Sequence, residues 1–232
     1  MGIPLIEFAQ TVFVFIAALF PIVNPLGGAT IFLTMTSGYS ADVRQALARK
    51  VSIYSFFILV GSMFLGSHVL SFFGVSLPAV QVGGGLLVAA AAWGMLNKDE
   101  DARSRDAAMQ VPRQDWEQHA FYPLTLPLTV GPGSISVALT LGANLDRGGL
   151  AAGAATVPAA WAAAAAMAGI ILVCASVWIA YGSSERISRA LGPTGLSIVV
   201  RLSSFILLCI GVQIFWNGAS RLLAPLIRSA VH

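Results

Sequence analysis

The sequence predicts an all-α integral membrane protein: six transmembrane helices in two inverted three-helix repeats, with the first helix of each repeat broken. Three observations carry this. The 232 residues are 57% hydrophobic and only 10% charged, against roughly 25% charged in soluble domains. Apolar runs cover about residues 3–37, 48–73, 76–97, 119–145, 149–181 and 195–217, each near the ~20 residues that a spanning helix needs. The first and fourth of these runs carry proline and glycine where a helix should run on.

The first run opens on "MGIPLIEFAQ", with no basic residue before its apolar stretch, so a cleaved signal peptide is not expected and the span is retained. Within it, "FPIVNPLGGATIF" (residues 20–32) sets a stop signal directly before a start signal. Pro21 lacks the N–H for the helical ladder and crowds the preceding turn. Asn24-Pro25 is a preferred cap followed by proline at the first helical position. The stretch reads as helix, unwound residues 20–23, and a new helix from Asn24. Two further spans complete residues 1–97. The mixed-charge stretch "NKDEDARSRDAAMQVPRQDWEQ" then supplies a solvated cytoplasmic linker over 98–118.

Residues 119–232 form the second half, which opens on "YPLTLPLTVGPGSISVAL" (residues 122–139). Here Gly131-Pro132 stand where Asn24-Pro25 stood, and Phe32 and Leu139 each follow the second residue of the pair by seven positions. The final spans are also introduced alike, "FGVSLPAVQVGGGLL" from Gly74 and "LGPTGLSIVVRLSSF" from Gly192. Three spans per half make the two halves enter the membrane in opposite senses, the arrangement of an inverted repeat.

Basic residues assign the sides. Arg44, Arg49, Lys50, Lys98, Arg103, Arg105, Arg113, Arg186 and Arg189 follow spans one, three and five, while Arg147, Arg221 and Arg228 lie on the other side. The first group belongs in the cytoplasm, which puts both termini in the periplasm. Since these residues track topology and form no aromatic-interleaved patch, nucleic acid is not an expected partner. Cys174 and Cys209 lie within spans and read as small hydrophobes. No metal or other cofactor is expected, and a homo-oligomer in membrane lipid is compatible with the sequence.

A helix break in hydrocarbon survives only where protein or a cavity satisfies its backbone, so both breaks should face inward. Each new half-helix presents a positive dipole end and N–H donors suited to a carboxylate. Asn24, Pro25, Gly27, Gly28 and Thr30 form the candidate substrate site on one side, and Thr129, Gly131, Pro132, Gly133 and Ser134 on the other. The glycines would admit a ligand close to the backbone. With Glu7 and Arg201 the only charged residues inside spans apart from Arg49 and Lys50 at the very start of the second, a small zwitterion suits the site, its ammonium on carbonyls freed by residues 20–23 and 126–130.

Arg201 and Glu7 are candidates for coupling or gating, as intramembrane ionisable groups; snorkelling from the membrane interface explains Arg201 equally well. Gln81 and Gln213 should hydrogen-bond between helices. Tight helix packing is expected of "VGGGLLVAAAAWG" and "AAAAAMAG". Enzyme chemistry finds no support: there is no G-x-S-x-G, no H-E-x-x-H and no intramembrane carboxylate pair.

"FPIVNPLGG", "LPLTVGPGSIS", "LSFFGVSLPAVQVGGGLL" and "VVRLSSFILLCIGVQIFWNG" together resemble the MarC family of inner-membrane proteins over nearly the whole chain. The resemblance implies six spans in two inverted halves. It further implies kinship with SnatA-type transporters of small neutral amino acids of the glycine and alanine class, with proton or ion coupling. Its signature positions fall on Asn24, Pro25, Gly27, Gly131, Pro132, Gly133 and Ser134, and its last-span arginine on Arg201. Where that arginine is often followed by a glycine-containing stretch, this chain has Leu202-Ser203-Ser204. A non-transporting scaffold or sensor, with structural breaks, is the alternative reading.

Overall fold

The computed structural model describes residues 2–97, 116–145 and 159–230, all built of helices and their connections. The linker expected at 98–118 lies outside them but for its last three residues, as do Arg147 and the start of the fifth span. The helices are α1 (Gly2–Val23), α2 (Pro25–Met35), α3 (Ala41–Phe72), α4 (Leu77–Asn97), α5 (Trp116–His119), the wide-turned α6 (Ala120–Thr129), α7 (Pro132–Leu145), α8 (Ala159–Gly182) and α9 (Ser184–Ala230). Among the described residues, five segments are long and apolar enough to cross a membrane: Leu5–Met35, Ala41–Gly66, Leu77–Asn97, Ala160–Gly182 and Thr194–Ala224. The pair Glu117–Thr129 and Pro132–Leu145, bent by 72°, makes a sixth if counted as one broken span.

Two local expectations are corrected. Residues 20–23 are not unwound: α1 carries Pro21 inside it and runs to Val23, and the Asn24 amide still donates to Phe20 O at 2.9 Å. Proline removes one donor and adds one clash, and the turn around it closes regardless. The break is the single residue Asn24, in left-handed conformation with φ 48° and ψ 63°. Arg186 and Arg189, expected in a loop, lie in the first turns of α9, which kinks at Gly192. Gly74 and Gly192, matched by sequence at the start of each half's last span, both adopt positive φ, 66° and 64°, which glycine alone adopts freely.

Packing pairs the helices across the two halves. α3 lies against α6 and α7, as α8 lies against α1 and α2; α7 touches α4, as α2 touches α9; and α4 runs along α9 in the most extensive contact among the described residues. That last seam is backbone on backbone. A Cβ added at Gly85 would stand 2.7 Å from Gly211 O, and one at Gly211 would stand 2.6 Å from the Ala89 nitrogen. Small residues thus let α4 and α9 approach as closely as helices in lipid do when packing, and not hydrophobicity, drives association.

Candidate functional site at the two helix breaks

Asn24 ends α1 and caps α2. Its Oδ1 accepts from the Gly27 amide at 3.1 Å, and its carbonyl accepts the first helical bond from Gly28 at 2.8 Å. Pro25 has no N–H to offer. Several of the α2 donors expected for a ligand are therefore already engaged. Thr30 likewise turns its hydroxyl back to Gly27 O at 2.8 Å. Asn24 and Pro25 line a cavity of about 200 Å³ with Phe20, Pro21, Leu26, Ser203 and Ile206. That cavity faces α9 and not the second break, which departs from the expectation that Asn24 looks across to Gly131.

The second break is built differently. Tyr122 and Leu126 each precede a proline, and both take extended backbone, the conformation to which a following proline pushes its neighbour. Pro123 and Pro127 leave carbonyls without their usual donors. Threonine hydroxyls add bonds to other carbonyls of the segment: Thr125 donates to Ala120 O at 2.6 Å and Thr129 to Leu124 O at 2.7 Å. Gly131 occupies the position of the capping Asn24 and has no side chain to cap with. Ser134, buried at 1% exposure, donates back to Gly131 O at 3.0 Å. The first amides of α7 thus lack a residue-131 cap, which makes this the better anion-binding pole of the two.

Each break has a neighbour in the α4–α9 pair, α2 against α9 and α7 against α4. Ile22, two residues before Asn24, packs against the buried group Val88, Ala92 and Leu207. Gly133, next to Pro132, faces the Val88 side chain so closely that a Cβ would overlap it. Val88 stands near the middle of α4. Gly133 therefore admits a helix, where the sequence reading had it admit a ligand; Gly131, with only Pro127 O at 3.4 Å, keeps the room that reading wanted.

Tyr181, near the end of α8, joins the two break segments. It is fully buried and stacks on Phe32 of α2, ring centroids 4.6 Å apart. Its hydroxyl lies 2.9 Å from Thr129 Oγ1 and 2.5 Å from where a Gly28 Cβ would stand. Since Thr129 gives its one proton to Leu124 O, the tyrosine donates to Thr129. Sequence reading did not single out this residue, because a lone tyrosine at a span end resembles an interfacial anchor.

Glu7 is not brought to the breaks, and Arg201 is not buried at them. Glu7 precedes Asn24 by seventeen residues of helix and cap, about 26 Å of rise, and Arg201 is exposed on α9. A different arginine is buried: Arg44, 8% exposed, pairs with Glu185 and donates to Thr36 O at 3.4 Å, tying the ends of α2, α3 and α9 together. Gln81 bonds between helices as expected, to Thr140 at 3.3 Å, whereas Gln213 bonds within α9 to Asn217 at 2.9 Å.

Two interrupted helices at matching places are what the four sequence stretches led one to expect, and the profile of the MarC family of integral membrane proteins matches residues 9–223. The chain belongs to the MarC family. Its relatives include the UPF0056 membrane protein YvbG of Bacillus subtilis, 32% identical over 212 residues, which are 91% of this chain and 94% of that one. The UPF0056 inner membrane protein MarC of Salmonella typhimurium is 29% identical over 208 residues, 88% of this chain and 91% of its own. The protein of the same name from Escherichia coli strain UTI89 gives the same figures. No solved structure matches the chain.

For this MarC-family chain the Asn24 cap yields a graded prediction. Asn24→Gly keeps the left-handed backbone and should cost only a few tenths of a kcal/mol. Asn24→Ala loses the cap, worth about 1 kcal/mol, and puts in the left-handed backbone a residue that tolerates it less readily than Asn. Thermal unfolding in detergent should rank wild type, then Gly, then Ala; equal stability of Ala and Gly would remove the strained break.

Proposed function

We propose that the protein is a secondary transporter of small neutral amino acids of the glycine and alanine class, coupled to protons or another ion and working by alternating access in the inner membrane, with both termini periplasmic. One observation carries this reading: Tyr181 joins the segments of two interrupted helices, stacked on Phe32 of α2 and 2.9 Å from Thr129 at the end of α6. An uncapped α7 N-terminus is suited to a substrate carboxylate, and the irregular carbonyls of α6 to an ammonium. The inverted-repeat reading is supported by the pairing of helices, in which exchanging α1 for α6, α2 for α7, α3 for α8 and α4 for α9 maps the larger contacts onto one another, though the smaller ones of α1 with α9 and of α8 with α9 find no counterpart. The positive-φ glycines at 74 and 192 point the same way. The resemblance noted above supplies the substrate class.

A scaffold or sensor without transport is the second reading. What favours it is the internal satisfaction of the first break, where Asn24 occupies the Gly27 and Gly28 donors.

Uptake of labelled glycine and alanine by proteoliposomes separates them. Saturable uptake is expected, stimulated by an inward proton gradient and lost in an Asn24→Ala control shown to be folded. Flat traces across a panel of neutral amino acids, from folded wild type, would sink the substrate class.

A further inference from the structure

Beyond the breaks, α1, α4, α7 and α9 enclose a cavity of about 220 Å³. Its polar lining is Gln81, Thr140 and Asn217; the rest is aliphatic, including Ala18, Ile22 and Val137. Gln81 is 5% exposed, and its Oε1 is buried without a hydrogen-bond partner. The amide orientation follows from its neighbour. Thr140 spends its only proton on Ser136 O at 2.8 Å, so the Gln81 atom facing Thr140 must be the donor Nε2, and the acceptor is the end left over. Gly218 clamps the Gln81 backbone: a Cβ there would stand 2.8 Å from Gln81 Cβ. A buried, positioned acceptor with nothing to accept calls for a donor from outside the chain.

We propose that this cavity is a second binding site, for a small molecule of no net charge that carries an N–H donor, standing before the helix breaks on the path through the protein. The proposal rests on the transport reading and adds to it. The lining holds no charged side chain, so a net charge would be desolvated uncompensated. The volume equals about seven waters at ~30 Å³ each, ample room for a molecule the size of glycine or alanine. Position gives the order: Ile22 lies two residues from Asn24, Val137 lies one turn past Gly133, and the cavity extends from there to Gln81, one turn into α4. Both halves line it, so a motion between them would open or close it.

The test is equilibrium binding of labelled glycine to the purified full-length protein, with uptake measured in parallel. Wild type should bind two glycines per chain and Gln81→Leu one, and Gln81→Leu should raise the uptake KM about tenfold, the worth of one hydrogen bond, with kcat little changed. Thr140→Val, which frees Nε2 and unfixes the amide, should act the same way should Gln81→Leu fail to fold. Equal stoichiometry in wild type and both variants, with uptake intact, would overturn the second site and leave transport standing, the cavity then holding water. Absence of both binding and uptake in wild type would overturn the transport reading and this site together.

Discussion

Alanine at position 28 is expected to displace Tyr181 and to stop uptake, and phenylalanine at position 181 is expected to relieve the displacement. The added Cβ would sit 2.5 Å from the tyrosine oxygen and 3.2 Å from two ring carbons. The ring cannot retreat, because Phe32 is stacked on its face and its surroundings are fully packed. Overpacking of this kind costs about 1–3 kcal/mol. Tyr181→Phe alone gives up the hydrogen bond to Thr129, about 1 kcal/mol. In the double variant the offending oxygen is gone, so the two losses should fall short of their sum by at least ~1 kcal/mol, the coupling expected of residues in contact. Thermal unfolding of the four proteins in detergent measures this. Additive losses would mean that Gly28 and Tyr181 do not touch, and the junction of the two breaks would fall with them.

The second large effect is expected at the α4–α9 seam. Gly85→Ala should destabilise the fold by about 1–3 kcal/mol or more, since its Cβ meets the backbone of Gly211 and Phe215, and backbone cannot rotate away as a side chain can. Gly83, two residues earlier on the same helix, has nothing within 4 Å of its Cβ position. Gly83→Ala should be neutral or stabilising by up to ~1 kcal/mol through helix propensity. Comparable melting temperatures for the two variants would show that α4 and α9 are not in backbone contact. The seam also bears on the proposed mechanism, because α4 and α9 come from opposite sides of the 98–118 stretch. Rocking of whole halves would have to slide this contact, at Gly85 and Gly211 as backbone past backbone and at Val88 and Leu207 as side chain past side chain.

Much of this was legible in one dimension. Composition and apolar runs establish the membrane class, and Asn24-Pro25 marks a cap because both residues prefer that backbone wherever it occurs. Gly74 and Gly192 matched by sequence, and both adopt the left-handed backbone. The same local logic misplaced the stop signal at Pro21, since proline's cost within one helix is small enough for neighbouring turns to absorb. It gave Gly133 to a ligand, when the residue opposite it is Val88, forty-five positions away.

What the sequence determined by itself, then, is where helices start, cap and break, because those outcomes depend on dihedral preferences and donors within a few residues. What only the tertiary structure decided is which faces meet: Tyr181 between Gly28 and Thr129, Gln81 turned to Thr140, and Asn24 looking to α9. Those depend on the rotation of each helix about its own axis, and that is set by long-range close packing at Gly85, Gly133 and Gly211, which no local pattern encodes.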